Sequence, residues 1–254
     1  MMPTAQICTT NQGIKYLLFD TNDLISNHIK HFGVFDETIL NIANVALTHL
    51  KKTKNSGIIL DIGANIGTFT LPLAKIFSEF NFEAFEVQST VFYQLCANII
   101  LNSLENVTAH NFGLSENNES FMKNSPDYNK ERNIGMYSLV NEYNNLLRGE
   151  ETGFSTKTVN IECRKLDSLQ YGNDIILIKI DVEGMELSVL KGAAGTIVNN
   201  NFPPIFYEAW HHPWFIEKRM AVDDYLKNIG YQITYFGDNA YAQHPKNGFY
   251  LVFE

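Results

Sequence analysis

An acidic residue and a glycine-containing turn follow the first strongly apolar run of this chain. The run 58–60 leads into Asp61, and Gly63, Asn65 and Gly67 follow at alternate positions. Glycine has no Cβ, so Gly63 and Gly67 allow backbone N–H groups to approach a ligand, and asparagine tolerates left-handed backbone angles better than most residues. Asp61 adds a negative charge, which would repel a phosphate and attract an ammonium group. The segment predicts a nucleoside-binding turn for a ligand that carries positive charge.

The residues after this turn support a nucleoside ligand. Apolar residues at helical spacing follow it and form a stripe suited to packing on a sheet. A second apolar strand then ends at Glu86, roughly twenty residues after the glycines, where a carboxylate can accept both hydroxyls of a ribose. The turn alone would also be ordinary chemistry between a strand and a helix. The combination favours a nucleoside, and S-adenosylmethionine fits the charge because it carries an ammonium and a sulfonium group.

Further acids end later apolar runs and are candidates for catalysis. Asp181 follows the run 175–180, which has the nearly unbroken apolar character of a central parallel strand. Glu183 lies two residues later, Glu208 ends a fifth apolar strand, and His211 follows that strand. Because the carboxyl ends of parallel strands meet at one edge of a sheet, these side chains are expected beside the same ligand. Asp181 is expected to contact both cofactor and acceptor, and the other three are candidate acids or bases near the acceptor.

Each of these residues also has a purely structural interpretation. Asp181 is a favoured residue for capping the helix that follows, and Glu183 would favour the dipole of the same helix. His211 precedes a proline by two positions and would suit an ordinary loop. Asp181 and Glu208 would together suit a divalent cation, since hard cations take carboxylate ligands. The spacing fixes no third ligand, so a divalent cation is not expected and no metal ligand is assigned.

The elements that must position these residues follow an α/β pattern, interpreted as one domain over 1–254. Residues 1–56 are interpreted as an N-terminal cap segment, in which Asp36 opens a helical pattern. Strands and helices then alternate as far as the third strand, and the sheet resumes after an interruption. Two closing strands are expected near 232–236 and 249–253.

The interruption spans 113–174 and is interpreted as an insertion between the third and fourth strands. Asn, Ser and Glu dominate much of it. An insertion of this length in a compact domain is usually functional or mobile. Its location suggests that four of its residues shape a sugar-like pocket: Asn133, Gly135, Tyr137 and Ser138.

Composition and charge restrict the classes of partner. The 254 residues are 45% hydrophobic and 19% charged, which excludes a disordered or fibrous class. The formal net charge of −9 argues against binding to nucleic acid. The three cysteines are widely separated and suggest no disulfide framework, which favours a reducing, cytoplasmic location. We expect neither a secretory signal nor a transmembrane segment, because no apolar run in the sequence approaches the roughly twenty residues that a transmembrane segment requires. The oligomeric state stays open.

With the glycine turn and the later acids in view, the chain resembles S-adenosylmethionine-dependent methyltransferases of the FkbM family. The matching segments follow the family's order along most of the chain: 61–67, 84–86, 166–169, 179–186 and 190–193. The resemblance implies a Rossmann-like class I methyltransferase fold, with a seven-stranded, mostly parallel sheet of order 3-2-1-4-5-7-6 and helices on both faces. It also implies S-adenosylmethionine as cofactor and methyl transfer to a hydroxyl of a sugar or natural-product scaffold, and hence a small-molecule or glycan acceptor.

One departure from the family pattern is Val87, because the family usually has proline directly after the ribose-binding acid. This leaves hydroxyl binding by Glu86 intact but makes the neighbouring loop less predictable. Two alternatives stay open at this point. The first is an NAD-dependent oxidoreductase, which Asp61 and Asn65 disfavour, and the second is a non-catalytic binding protein that retains the fold.

Overall fold

The computed structural model describes residues 3–130, 133–140, 154–172 and 174–252. The N-terminal segment forms an antiparallel hairpin and two helices: β1 (Ala5–Thr9), β2 (Lys15–Phe19), α1 (Leu24–Phe32) and α2 (Glu37–Leu50). Asp23 caps α1, since its Oδ2 accepts a hydrogen bond from the Ser26 N–H at 2.8 Å. The apolar face of α2 packs into the same hydrophobic cluster as one face of the central sheet. This segment therefore covers the sheet.

Ten further strands are described, seven in the central sheet and three in a smaller one. The central sheet contains β3 (Ile58–Ile62), β4 (Asn81–Phe85), β5 (Val107–His110), β9 (Ile175–Ile180), β10 (Ile205–Glu208), β11 (Gln232–Phe236) and β12 (Asn239–Gln243). The smaller sheet contains β6 (Gly113–Leu114), β7 (Glu119–Pro126) and β8 (Phe154–Arg164).

The central sheet has the order β11-β12-β10-β9-β3-β4-β5. Numbered along the chain and read from the β5 edge, this is the order 3-2-1-4-5-7-6 that the resemblance implies. β12 runs antiparallel to both of its neighbours, and every other neighbouring pair is parallel. The fold is thus α/β with a mainly parallel sheet, and β3, β4, β9 and β10 all end at one edge, where ligands bind in such sheets.

Helices cover both faces of this sheet. Those after β3 are α3 (Thr70–Ile76), α4 (Ser89–Leu101), α5 (Glu186–Gly192), α6 (Ala194–Asn199) and α7 (Ile216–Asn228). Successive residues of β3 pack on opposite sides, since Ile59 belongs to one hydrophobic cluster and Leu60 to the other. This alternation is expected of a strand buried on both faces. None of the helices in the described ranges is long and apolar enough to cross a membrane.

The prediction of a closing strand at 249–253 is wrong. The last strand among the described residues is β12, which a two-residue turn at Gly237 and Asp238 joins directly to β11. Gly237 has a φ of 59°, a left-handed angle that suits such a tight hairpin. Residues 249–252 are not in a strand. Their apolar character has another use at Phe249, which is buried and lies 4.9 Å, ring to ring, from His49 on α2.

The described part of the insertion 113–174 is more regular than its composition suggests. β7 and β8 pair antiparallel over most of their length, with Phe121 opposite Ile161, and β6 adds a short parallel pairing. Ile161 and Cys163 are buried on one face of β8, which explains the alternating pattern of its sequence. The remainder of the insertion, 131–132, 141–153 and 173, lies outside the described residues.

Gly63 joins the first strand of the sheet to the turn after it. Its N–H and that of Ala64 both donate to the Phe85 carbonyl, at 3.0 and 2.9 Å. On the other side, the Asp181 N–H donates to the Ile62 carbonyl at 2.9 Å. Gly63 has a φ of 83°, and a Cβ built on it would lie 1.7 Å from the Asp181 carbonyl oxygen. The packing of β3 against the end of β9 therefore requires glycine at position 63, whether or not Gly63 also contacts a ligand.

This contact predicts a large loss of stability in the variant Gly63→Ala. The left-handed angle and the collision with backbone should together lower the free energy of unfolding by roughly 2–4 kcal/mol, measured by urea denaturation. Gly237→Ala is the matched control, because Gly237 also has a positive φ but has nothing within 4 Å of the added Cβ. It should cost only about 1 kcal/mol. Equal losses in the two variants would contradict the importance of the Asp181 contact.

Candidate active site

A cavity of about 280 Å³ opens where β3, β4, β9 and β10 end. Residues after each of these strands line it, together with part of the insertion and the start of α2. Its size is close to the lower end of the range typical of ligand pockets. Three of the four insertion residues predicted to shape a pocket line this cavity, namely Asn133, Gly135 and Tyr137. The fourth, Ser138, is buried and donates a hydrogen bond to the Glu183 carbonyl at 2.6 Å.

Glu86 forms one end of the cavity. Its side chain is held by two backbone donors, because Asn65 N–H donates to Oε2 at 3.0 Å and Gln88 N–H donates to Oε1 at 2.8 Å. Burial raises the pKa of Glu86 to about 7, and the two N–H donors oppose this effect. Each carboxylate oxygen has two acceptor positions, so one on each oxygen is left for a ligand hydroxyl. The ribose-binding role of Glu86 stays a prediction, for which these two acceptor positions are available.

The glycine turn supports this end in two different ways. Asn65 lines the cavity and adopts the left-handed conformation expected of it, with a φ of 51°. Gly67 also has a positive φ, 91°, but a Cβ there would meet Leu71 and Leu95 at 2.8 and 2.9 Å. Gly67 is not among the residues that line the cavity. It therefore allows the turn to pack closely against the neighbouring helices rather than against a ligand.

Asp61 lies behind the cavity wall. It is fully buried and is absent from the lining. Its Oδ2 accepts a hydrogen bond from the Thr70 hydroxyl at 2.6 Å, and its Oδ1 lies 3.2 Å from Lys179 Nζ. A direct attraction between Asp61 and a ligand ammonium is therefore not what this arrangement provides. Lys179 neutralises the charge of Asp61. Asp61 therefore influences the cavity indirectly, through its ion pair with this lysine, which also contacts Asp181.

Lys179 connects Asp61 to Asp181. Its ammonium group lies 3.2 Å from a carboxylate oxygen of each acid and donates to the Gly63 carbonyl at 3.3 Å. Burial opposes the positive charge of Lys179, but the carboxylates of Asp181 and Asp61 outweigh it and raise its pKa. Lys179 is therefore charged at neutral pH. It fixes the orientation of Asp181, whose side chain is 34% exposed at the cavity surface.

Asp181 and Glu183 are not helix-terminal residues. α5 begins only at Glu186, and the residue before it, Met185, is its N-cap. The loop that leads from Asp181 to α5 turns sharply, with left-handed φ angles at Glu183 (54°) and Gly184 (95°). The buried Glu186 side chain holds it, since Oε1 accepts from Val182 N–H and Gly184 N–H at 3.2 and 3.0 Å. The capping interpretation of Asp181 is wrong, and both acids line the cavity.

Glu208 faces the same acids from the end of β10. One oxygen from each of Asp181, Glu183 and Glu208 lies within 4.8 Å of the other two. Burial raises the pKa of Glu208 well above its ordinary value, and the negative charges of Glu183 and Asp181 raise it further. The three predicted acids are thus brought together at the end of the cavity that is formed by β9 and β10.

His211 is not brought into this cluster. Its side chain is 56% exposed, and its Nδ1 lies 3.6 Å from Asp238 Oδ1. Asp238 lines the cavity, but His211 does not. Trp210 lines the cavity, whereas His211, the next residue, is exposed outside it, so a position shortly after a strand does not by itself bring a side chain to the site.

Several cavity residues had no predicted role. Lys179 is the one basic residue in the apolar run 175–180 that precedes Asp181. A single base among apolar residues is the sequence signal for a buried ion pair. Gln88 is buried, lines the cavity and donates to the Ile134 carbonyl at 3.0 Å, which ties the β4 loop to the insertion. Asp36 lines the cavity with a φ of 52° and no capping bond to α2. Burial raises its pKa, as does the charge of Asp181, whereas Lys179 opposes the shift.

The cavity is strongly acidic. Among the described residues that line it, Lys179 is the one basic side chain, whereas six side chains are acidic: Asp36, Glu86, Asp181, Glu183, Glu208 and Asp238. A cavity of this charge favours ligands that carry positive charge and disfavours polyanions.

Solved structures show a limited similarity to this fold. P. horikoshii TYW2 in complex with MeSAdo shares 15% identity at a TM-score of 0.49, with 95% of this chain and 70% of that chain covered. Precorrin-6y C5,15-methyltransferase from Geobacter metallireducens shares 12% identity at a TM-score of 0.46, with 80% of this chain and 88% of that chain covered.

Similarity in sequence identifies the family. Methyltransferase sdnD of Sordaria araneosa is 29% identical over 232 residues, which cover 79% of this chain and 80% of that protein. Methyltransferase 1 of Beauveria bassiana is 28% identical over 146 residues, which cover 53% of this chain and 57% of that protein. The methyltransferase FkbM domain matches residues 61–233, more than half of the chain. The chain therefore belongs to the FkbM methyltransferase family and is an S-adenosylmethionine-dependent methyltransferase.

Proposed function

We propose that this enzyme transfers the methyl group of S-adenosylmethionine to a hydroxyl of a small-molecule or glycan acceptor, such as a sugar or a natural-product scaffold. The observation that carries the proposal is that Glu86 and Asp181 line one cavity from opposite sides of β3. Strands two apart in a sheet are separated by about 10 Å. A nucleoside held at Glu86 would therefore extend towards Asp181 and the acids beside it.

The donor end of the site is formed by Glu86, Asn65 and Gln88. The two N–H donors hold both oxygens of Glu86 in place, and the remaining acceptor positions suit the two adjacent hydroxyls of a ribose. Asn65 donates its N–H to Glu86 from a left-handed backbone conformation. These residues bind and orient the donor without a change in their own hydrogen bonds.

The acceptor end is formed around Asp181. S-adenosylmethionine supplies a methyl group that is activated by the sulfonium. The acceptor oxygen attacks the methyl carbon in line, and S-adenosylhomocysteine leaves as the C–S bond breaks. The protein therefore has chiefly to position that oxygen and to remove its proton. Asp181 is oriented by Lys179 and reaches the cavity surface, where its carboxylate can take the hydroxyl proton as the new C–O bond forms. Glu183 and Glu208 are placed to hold further polar groups of the acceptor.

The cavity walls fit a polar, uncharged or cationic acceptor rather than a nucleic acid. Tyr137 and Trp210 offer aromatic surfaces, and Asn133 and Asn239 offer amide groups that can donate to and accept from hydroxyls. The excess of acidic side chains disfavours a polyphosphate backbone. A hydroxyl-bearing sugar or natural-product scaffold meets both conditions.

The variant Glu86→Gln tests the donor end. It should weaken binding of S-adenosylhomocysteine by about 1–3 kcal/mol in calorimetry, because the ribose hydroxyls lose a charged acceptor. In the native protein, affinity should fall as pH is lowered through about 7, since the ligand hydroxyls require the ionised carboxylate of Glu86.

The raised pKa of Glu86 also affects the stability of the ligand-free protein. Between about pH 4.5 and 7, the folded protein binds a proton at Glu86 that the unfolded chain has lost, so the contribution of Glu86 to stability decreases as pH rises through this range. The Gln variant should lack both dependences.

Glu83→Gln is the control for this variant. Glu83 lies on β4, the strand that ends just before Glu86; it contacts His110 and Tyr171 and is not part of the cavity lining. Its substitution should leave S-adenosylhomocysteine affinity unchanged. Native affinity in Glu86→Gln, with an unchanged pH profile, would show that the ribose is bound elsewhere.

The variant Asp181→Asn tests the acceptor end. It preserves shape and should lower turnover by about 10²–10⁴-fold while S-adenosylhomocysteine affinity changes little, because a base or ligand for the acceptor is lost. The measurement is transfer of a labelled methyl group to a panel of sugars, nucleotide sugars and polyketide alcohols. Asp224→Asn, an exposed acid on α7, controls for the change in net charge. An Asp181→Asn enzyme that methylates its acceptor at the native rate would remove Asp181 from the chemistry.

A further inference from the structure

The three clustered acids converge from separate parts of the chain. Asp181 follows β9, Glu183 lies in the loop after it, and Glu208 ends the neighbouring strand β10. One oxygen from each lies within 4.8 Å of the other two. Only small side-chain movements are needed for three oxygens at this spacing to contact one ion, since metal–oxygen distances of about 2.1 Å place neighbouring ligand oxygens roughly 3–4 Å apart.

One buried oxygen of Glu208, a member of this cluster, has no hydrogen-bond partner in the described part of the chain. Oε2 of Glu208 is inaccessible to solvent, and no hydrogen-bond donor contacts it among the described residues. A buried carboxylate oxygen without a donor or a cation is costly, and such atoms in native proteins call for a specific explanation. Because the neighbouring groups in the cluster are themselves carboxylates, they are acceptors and cannot supply the missing donor while ionised.

The nearest base does not neutralise the cluster. Lys179 lies 3.2 Å from Asp181, but it is equally close to the fully buried Asp61, so one positive charge is shared between two acids. Among the described residues, Lys179 forms ion pairs with these two acids and none with Glu208. A divalent cation would supply positive charge to the cluster, and its oxygen ligands would be groups that repel one another without it.

The loop that carries Glu183 is fixed in advance. Ser138 donates to the Glu183 carbonyl at 2.6 Å, and Glu186 accepts from the N–H groups on both sides of Glu183. Lys218 also donates to the Gly184 carbonyl at 3.2 Å. The backbone that positions the acid is thus held from three directions, which is the support that a preorganised ligand set requires.

We infer that Asp181, Glu183 and Glu208 bind a divalent cation of the oxygen-preferring class, Mg²⁺ or Mn²⁺. Three carboxylates leave further coordination positions for water and for acceptor oxygens. The inference deepens the proposed function, on which its catalytic meaning rests, because a bound cation would orient an acceptor hydroxyl and make its proton easier to remove. It replaces the expectation from the sequence that a divalent cation is possible but not expected, because Glu183 lies within reach of Asp181 and Glu208 as the third ligand that spacing did not fix.

Titration of the full-length protein with Mn²⁺ alone tests the site. Free Mn²⁺ gives an electron paramagnetic resonance signal that is lost on binding, so the signal reports occupancy without any turnover. We expect one saturable site per chain in the native protein and at least tenfold weaker binding in Glu208→Gln and in Glu183→Gln. Asp238→Asn is the matched control, because Asp238 lines the same cavity outside the cluster, and it should bind Mn²⁺ as the native protein does.

Thermal unfolding separates loss of the site from loss of the fold. Mn²⁺ should raise the melting temperature of the native protein and of Asp238→Asn but not that of Glu208→Gln, which should itself be folded because it loses one of several repelling charges. Absence of a saturable site in the native protein, or native Mn²⁺ affinity in both Gln variants, would overturn the inference. Glu86→Gln should lose S-adenosylhomocysteine affinity and keep Mn²⁺ binding, so failure of the donor site and failure of the cation site are distinguishable.

Discussion

The rest of the site depends on the ion pairs that the buried ammonium group of Lys179 forms with Asp61 and Asp181. Asp61 and Lys179 are paired residues on the parallel strands β3 and β9, so their side chains lie on the same face of the sheet. Lys179 also contacts Asp181 and the Gly63 carbonyl. One charge thereby joins the first strand, the glycine turn and the mouth of the central strand. Its removal would leave Asp61 as an unpaired charge in a dry interior, which is far costlier than losing a surface pair.

This constraint explains how two kinds of acid coexist at one sheet edge. Glu86 is held by backbone N–H donors, which leave one acceptor position on each of its carboxylate oxygens. Asp181 is held by a lysine, and Glu183 and Glu208 crowd against it. The first environment suits recognition of a ligand, and the second suits binding of a proton or a cation. β3 lies between the strands that precede Glu86 and Asp181, so these two acids are separated by about the width of two strands.

Much of this arrangement could be predicted because acids at the ends of apolar runs reach a common edge whenever the strands are parallel. The positions of Glu86, Asp181, Glu183 and Glu208 follow from that rule alone. Cross-strand register does not follow from it, and the pairing of Asp61 with Lys179 depends on register. For this reason Asp61 was expected to face the ligand, whereas it lies behind the wall. The last strand was misplaced for a related reason, since the tight turn at Gly237 pairs β11 with the next segment rather than with the more apolar one.

A double-mutant cycle on Lys179 and Asp61, followed by urea denaturation, tests the central claim most directly. Lys179→Met should lower the free energy of unfolding by about 3–5 kcal/mol, because it leaves the buried Asp61 without its cation. Adding Asp61→Asn to that variant should recover at least half of the loss, since the stranded charge is then removed. If Lys179→Met is as stable as the native protein, or if the second substitution adds a further independent loss, Lys179 does not hold the site together.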